Sequence, residues 1–143
     1  MTRKVLFSAI AAAVGLLGCA GASTKATLPC TPGICKVAVT ITDCAAKGGV
    51  SVDPKTLDVP DRNNPKNIEW EFATDGYSFP QNGIIIGSDP KGELDKPVVA
   101  RNGKKVTVHD KHKETNYKIY YAVNVMKDDG TPCIPLDPWI VNQ

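Results

Sequence analysis

Hydrophobic and polar residues alternate most clearly along residues 117–126. A β-strand points successive side chains to opposite faces, so a strand here would place every second residue on one side. The residues of one parity are Tyr117, Ile119, Tyr121, Val123 and Val125. The other parity holds Lys118, Tyr120, Ala122, Asn124 and Met126. The pattern predicts a long strand with one buried face and one wetter face.

Shorter segments with the same alternation, or with short apolar runs, lie on both sides of this strand. They are residues 36–42, 50–52, 68–72, 84–86, 104–109 and 136–142, together with 56–59 as a short strand or an extended edge. Residues 98–99 can add a further short strand. Turn residues separate them, Asn102-Gly103 being the best hairpin dipeptide. We find no convincing helical period after residue 18. The pattern predicts one all-β domain, an antiparallel or mixed β-sandwich of seven to eight strands.

Three finer expectations concern individual strands. Trp70 alternates with Ile68 and Phe72 and is expected to be the largest contribution to the core. The run Ile84–Ile86 is apolar on both faces, which predicts a strand covered on both sides or shielded by a loop. Pro138 cannot donate to a ladder, so it predicts that the last strand lies at an edge or beside a bulge.

The first 18 residues have the features of an export signal. Arg3 and Lys4 precede an apolar run over residues 5–17, which is too short for a comfortable membrane span. The run ends in Leu-Leu-Gly-Cys at residues 16–19, which resembles the lipobox of bacterial lipoproteins. In that family cleavage falls just before the cysteine, and the cysteine carries the lipid. An ordinary signal peptide with a chance cysteine is the alternative.

The lipobox resemblance implies a lipid anchor at Cys19 and a location outside the cytoplasm. Ala20 follows the cysteine rather than an aspartate, which in Gram-negative lipoproteins implies the periplasmic face of the outer membrane. The expected organisation is a signal peptide over 1–18, a tether over 19–28 and the β-sandwich domain over 29–143. Without Arg3 and Lys4 the chain holds as many acidic as basic residues, which gives no electrostatic case for nucleic acid.

Four further cysteines, Cys30, Cys35, Cys44 and Cys133, are an even number in a chain expected to be exported, which indicates disulfide bonds. The turn-like residues between Cys30 and Cys35 favour that pair, which leaves Cys44 with Cys133. If the first and last strands ran parallel, Cys35 with Cys133 and Cys30 with Cys44 would be the alternative. The spacing is a poor match to a structural zinc site.

Four segments together resemble small secreted bacterial proteins with a cupredoxin-like fold. They are residues 68–72, 76–84, 117–123 and 136–142. The resemblance implies a β-sandwich of cupredoxin-like or immunoglobulin-like architecture and almost nothing about function. Blue-copper proteins use two histidines, a cysteine and usually a methionine. Here no histidine follows Cys133 and Met126 precedes it, so no blue-copper site is expected.

His109 and His112 form the only histidine cluster, three residues apart. They can chelate copper if the chain turns there, with a carboxylate from Asp110 or Glu114 as a further ligand. The alternative is a solvated charged loop over residues 110–116 with two ordinary histidines. Glu69 and Glu71 are expected on the wet face of their strand rather than as a catalytic pair.

No catalytic motif is present: no serine lies in a Gly-x-Ser-x-Gly setting, and no glycine-rich phosphate loop occurs. Tyr77, Phe79 and Trp139 are the aromatics best placed for recognition, with core packing as the alternative for the first two. We therefore expect a non-enzymatic binding or structural module without a cofactor. Its partner would be an unknown protein or small molecule. A copper-handling lipoprotein is the alternative.

Overall fold

The fold comes from a computed structural model, which describes residues 30–31, 33–61 and 63–143. The predicted signal peptide, Cys19 and the predicted tether lie outside the described residues. The strands in chain order are β1 Cys30–Thr31, β2 Ile34–Ile41, β3 Val50–Asp53, β4 Thr56–Val59, β5 Lys66–Phe72, β6 Tyr77–Ser78, β7 Ile84–Ile86, β8 Val98–Val99, β9 Lys105–Asp110, β10 Tyr117–Val123, β11 Met126–Lys127 and β12 Trp139–Asn142.

Two mixed sheets form the domain, as the all-β prediction requires. The first sheet has the order β1-β2-β5-β9-β8, with β3 also paired to β2, and the second has the order β4-β12-β10-β7. β6 and β11 form a separate two-stranded ribbon. The β2–β5 and β4–β12 pairs are parallel and the others antiparallel. No helix in the described part of the chain has the length and apolar content that crossing a membrane demands.

The core lies between the two sheets, where their inward side chains meet. Trp70 of β5 is fully buried and packs its ring edge against Tyr121 of β10, with ring centroids 5.2 Å apart. Ile68 and Val37 of the first sheet and Ile119 and Ile140 of the second belong to the same buried cluster. The prediction that Trp70 is a central core residue is confirmed.

The parity predicted for residues 117–126 is confirmed, but the strand is shorter. Ile119, Tyr121, Val123 and Val125 are buried, whereas Tyr120 is exposed. β10 ends at Val123, and the chain continues into β11, which pairs with β6 rather than with the second sheet. The twelve strands found among the described residues exceed the seven to eight predicted, because two-residue pairings such as β1 and β6 are too short to show a period.

The last strand was expected at an edge or beside a bulge; the edge is wrong, and the register from Leu136–Val123 to Trp139–Tyr120 has no extra residue that would make a bulge. β12 lies inside the second sheet, between β4 and β10. Pro138 comes just before β12 and in register with Tyr121, whose N–H donates to the Pro138 carbonyl at 3.2 Å. Since proline has no N–H to return that bond, the ladder to β10 is interrupted at Pro138, between the Leu136–Val123 bridge and the start of β12 at Trp139.

Both disulfides have the favoured connectivity. Cys30 and Cys35 are opposite each other in the β1–β2 pair and are bonded, and Cys44 is bonded to Cys133 across 89 residues. The alternative pairing of Cys35 with Cys133 is therefore wrong. The second bond joins the connection after β2 to the segment that leads into β12, so it links the two sheets covalently.

Candidate functional site: the outer face of the second sheet

The outer face of the first sheet is polar along its central strands. Glu69 is paired with Lys105, whose Nζ lies 3.1 Å from the Glu69 carboxylate, and this contact raises the pKa of Lys105. Glu71 is exposed on the same face of β5. This agrees with the prediction that Glu69 and Glu71 lie on the solvent-facing side of their strand. Apart from Val98 at the β8 edge, the exposed large apolar side chains of the described chain lie elsewhere.

The outer face of the second sheet has a different composition. We call its residues Ile85, Lys118, Tyr120, Ala122 and Trp139 the aromatic face. Tyr120 is 52% exposed and Ile85 47% exposed, and Trp139 is partly exposed. The expectation that Ile84–Ile86 is covered on both sides is wrong, because no element of the described chain shields Ile85.

The sheet register holds the aromatic face together. Tyr120 of β10 lies opposite Trp139 of β12, and Ala122 lies opposite Ile85 of β7. The Tyr120 and Trp139 rings are in contact, as expected for a pair that is not joined by ladder hydrogen bonds. The Lys118 ammonium lies 3.3 Å from the Trp139 ring centroid, in cation–π geometry. These side chains are therefore ordered by strands rather than by loops.

Two hollows flank the ring pair. One, of about 340 Å³, is lined by Ile85, Gly87, Tyr120, Tyr121, Ala122 and Asp137. The other, of about 360 Å³, lies beyond Trp139 and includes Val50, Val52, Lys55 and Pro138. Asp137 lines both, so a carboxylate lies between the hollows next to the rings. The arrangement combines apolar contact area with one negative and two positive groups, Lys118 and Lys55.

The aromatics singled out from the sequence are mostly structural. Phe79 is buried and stacks on Phe72 with ring centroids 4.2 Å apart. Tyr77 is partly buried against the core and belongs to β6. Trp139 alone of the three joins the outer surface of a sheet. The residues missed were Tyr120 and Ile85, although the parity of residues 117–126 already placed Tyr120 on the face opposite the core.

A second group of polar side chains is buried at one end of the sandwich. Asp110, His112 and Asn142 have no exposed surface, and Glu93 is nearly buried. The Asp110 carboxylate accepts hydrogen bonds from the His112 backbone N–H at 2.9 Å and from the Asn142 amide at 3.3 Å. Both ring nitrogens of His112 and the second oxygen of Asp110 have no hydrogen-bond partner in the described chain.

The expectation that residues 110–116 form a solvated loop is therefore wrong for its first half. Asp110 is the last residue of β9, and His112 turns inward with a positive φ of 47°. The His112 carbonyl accepts a hydrogen bond from the Asn63 backbone N–H at 2.9 Å, which joins two loops over the buried ring. Glu93 accepts from the Lys113 N–H at 2.6 Å and covers the same region.

The two candidate copper ligands have different environments. His109 is exposed on the outer face of the first sheet, where its Nδ1 lies 3.1 Å from the Asn67 side-chain oxygen, whereas His112 is buried. A chelate using both would require the His112 ring to leave its buried position. Within residues 30–31, 33–61 and 63–143 no group of three or more His, Cys, Asp or Glu side chains is arranged to hold a metal. Copper binding stays a prediction.

Replacing Asp110 with asparagine is expected to raise the melting temperature at pH 7 by a few degrees. Burial raises the pKa of Asp110, and the hydrogen bonds from His112 and Asn142 oppose that shift. The folded state thus holds the proton of the Asp110 carboxyl more tightly than the unfolded chain does. The stability that this protonated carboxyl contributes is complete below the pKa of Asp110 in the unfolded chain, and it is lost as the pH rises through its pKa in the folded state. Asparagine keeps the accepting oxygen without the buried charge.

Melting curves of wild type and the Asp110→Asn variant between pH 3 and pH 8 would test this. The gain from asparagine should shrink as the pH falls through the folded pKa of Asp110. Asp110→Ala is the matched control and should lose about 1–3 kcal/mol of unfolding free energy, since it leaves the His112 N–H and the Asn142 amide unpaired. Equal losses in both variants would show that the Asp110 charge is needed.

Comparisons with known proteins supply no further assignment. No protein-family model matches the chain, and no curated protein matches it either. The resemblances to bacterial lipoproteins and to cupredoxin-like proteins therefore stay predictions from the sequence.

Proposed function

We propose that this protein is a non-enzymatic binding module of the cell envelope. A lipid on Cys19 tethers it to the periplasmic face of the outer membrane, and the aromatic face binds a protein partner. The observation that carries the proposal is the contrast between the two outer faces. Along its central strands one face carries ion-paired and exposed charged side chains, with Val98 exposed only at its β8 edge, whereas the other exposes Tyr120 and Ile85 beside a partly exposed Trp139.

The residue types on the aromatic face favour a protein partner. Tyrosine and tryptophan dominate binding energy at protein interfaces, and they contribute most when they lie next to hollows that a partner can fill. Single exposed apolar residues need no explanation, but a contiguous group flanked by two hollows is typical of a binding surface. Because the strands of the sheet hold Tyr120 and Trp139, binding costs little side-chain entropy.

The chemistry of the hollows supports binding rather than turnover. The described residues that line them offer one carboxylate, Asp137, and one amine, Lys55. General acid–base catalysis needs groups matched to a proton transfer within hydrogen-bond reach of a substrate. Asp110 and His112, which are fully buried titratable residues, line neither hollow.

The proposed location rests on the lipobox resemblance and is supported by the disulfides. Disulfide bonds form and persist in oxidising compartments such as the bacterial periplasm. The Cys30–Cys35 bond closes β1 onto β2 at the point where the described domain starts. It would reinforce the attachment of a tether to the first sheet.

Site-specific photocrosslinking of the full-length protein in its own cells would test the proposal. A benzophenone amino acid at position 120 is expected to give one discrete protein adduct, whereas the same group at position 71 on the polar face gives none. The adduct partner, identified by mass spectrometry and purified, should bind the wild-type protein directly. Tyr120→Ala should weaken that binding at least tenfold, about 1.4 kcal/mol, because it removes a half-exposed anchor.

Glu71→Ala is the matched control, and it should leave both the affinity and the melting temperature unchanged. Equal crosslinking from positions 71 and 120, or no adduct from position 120, would contradict binding through the aromatic face. Full binding by a folded Tyr120→Ala variant would contradict it as well.

A further inference from the structure

β7 is an outer strand of the second sheet, with β10 on one side only. The Gly87 N–H donates to the Tyr120 carbonyl at 2.8 Å, and the Asn124 N–H donates to the Gly83 carbonyl at 2.7 Å. In an antiparallel pair every second residue directs its N–H and C=O to the same neighbour. Residues 83, 85 and 87 therefore face β10, and Ile84 and Ile86 direct their backbone groups away from it.

The outward backbone groups of Ile84 and Ile86 make no hydrogen bond to any other part of the described chain. The 3% exposure of Ile84 reflects a side chain that belongs to the core. A free strand edge presents a row of N–H and C=O groups that can pair with another extended segment. The edge of β7 is such an edge.

A groove of about 460 Å³ runs along this edge. Ile84, Ile85 and Ile86 form one wall, and the other is the segment from Leu94 to Pro97. That second wall belongs to the first sheet, since the Asp95 N–H donates to the His109 carbonyl at 2.9 Å and β8 follows directly. The groove is thus the open side of the sandwich, between the edges of the two sheets.

We propose that an extended segment of the partner protein binds in this groove as an additional strand on β7. The proposal rests on the proposed function and names how the partner is recognised. Ile84 and Ile86 offer two donors and two acceptors, which is the main-chain pairing used when a peptide joins an exposed sheet edge. The added strand extends the second sheet and so continues the aromatic face.

The groove specifies which side chains the added segment carries. In an added strand, every second side chain of the bound segment points between the two sheets. Leu94 and Pro97 line that space, so these side chains should be apolar. The intervening side chains lie beside Ile85, at the margin of the aromatic face. Asp89, Asp95 and Lys96 lie along the groove, and Asp95 is ion-paired with Lys111 at 3.1 Å, so apolar side chains rather than charge decide which segment fits.

The position of the groove favours a partner over the preceding part of this chain. The described domain starts at β1, which lies at the opposite edge of the first sheet from β8. Four strand spacings of about 4.8 Å each separate the two edges, roughly 19 Å. The residues before β1 would therefore have to cross the whole first sheet before they could pair with β7.

The experiment starts from a random library of twelve-residue peptides displayed on phage, selected against the full-length protein in detergent. A synthetic copy of an enriched peptide is expected to carry alternating apolar residues. It should slow hydrogen exchange of the Ile84 and Ile86 amides at least tenfold. Methylating the alternate peptide nitrogens that face β7 should abolish binding, and methylating the intervening ones should not.

Ile86→Pro is the matching change in the protein. It removes one outward donor and leaves the ladder to β10 intact, since the Ile86 N–H faces away from β10. We expect at least a tenfold loss of peptide affinity with a cooperative melting transition retained. Ile86→Val keeps the donor and should bind within twofold of wild type, which separates the lost hydrogen bond from the lost side chain.

The other outcomes separate this inference from the proposed function. One such outcome is a peptide that binds the Tyr120→Ala variant more weakly, binds the Ile86→Pro variant normally, and leaves hydrogen exchange of the Ile84 and Ile86 amides unchanged. That result would support binding through the aromatic face and overturn strand addition. Failure to enrich any peptide would also overturn strand addition, while the photocrosslinking result would still decide the proposed function. Self-association that Ile86→Pro abolishes would identify a second copy as the occupant and overturn the partner segment.

Discussion

Replacing Trp70 with alanine is expected to lower the free energy of unfolding by about 3–5 kcal/mol. Trp70 is the largest fully buried side chain of the described domain and contacts Tyr121 across the two sheets. Its removal loses apolar burial and leaves a cavity in a core that alanine cannot fill. Domains of this size are stable by about 5–15 kcal/mol, so the variant would be close to unfolding.

Denaturant unfolding followed by far-ultraviolet circular dichroism near 218 nm would measure this loss, since the backbone rather than the deleted indole dominates the signal of a β-sheet there. Trp139→Ala is the matched control: it removes the same side chain from a partly exposed site and should cost less than about 2 kcal/mol. A loss below about 1 kcal/mol for Trp70→Ala would contradict the position of Trp70 between the sheets.

The inward face of the fold could be predicted from local alternation, because burial of one sheet face imposes a period of two on the sequence. Val37 and Val39, Ile68 and Trp70, and the buried residues of β10 all follow it. The position of β12 could not be predicted this way. Pro138 excludes a ladder bond at its own position only, and which strands flank the next four residues depends on the whole topology.

Part of the candidate site could also be predicted from local alternation, whereas the part that depends on strand pairing could not. Trp139 was expected to be available for recognition, and the parity that buries Tyr121 also exposes Tyr120. No local pattern shows that Ile85 lies beside Ala122, because that contact is set by the pairing of β7 with β10. The burial of His112 was missed because charged neighbours indicate a solvated loop, whereas the Asn63 and Glu93 loops cover it from distant parts of the chain.

Removing the Cys44–Cys133 bond is expected to destabilise the domain by about 4–5 kcal/mol, because the bond closes a loop spanning 89 residues and restricts the unfolded chain. The double variant Cys44→Ala/Cys133→Ala avoids a free thiol and a buried hydroxyl at sites that are only 6% exposed. Guanidinium unfolding of the oxidised proteins would give the difference from wild type. The bond also fixes the entry to β12, so local disorder near Pro138 would add to the loss.

The Cys30–Cys35 bond is the natural control because it spans only five residues. On the same entropic argument Cys30→Ala/Cys35→Ala should lose only about 2 kcal/mol, since closing a short loop restricts the unfolded chain less. The ordering of the two losses matters more than either value. If the short-loop variant proved the less stable, restriction of the unfolded chain would not be the main contribution of these bonds. Packing of the β1–β2 hairpin beside Cys35, which is itself fully buried, would then stabilise the folded domain more than the loop closure does.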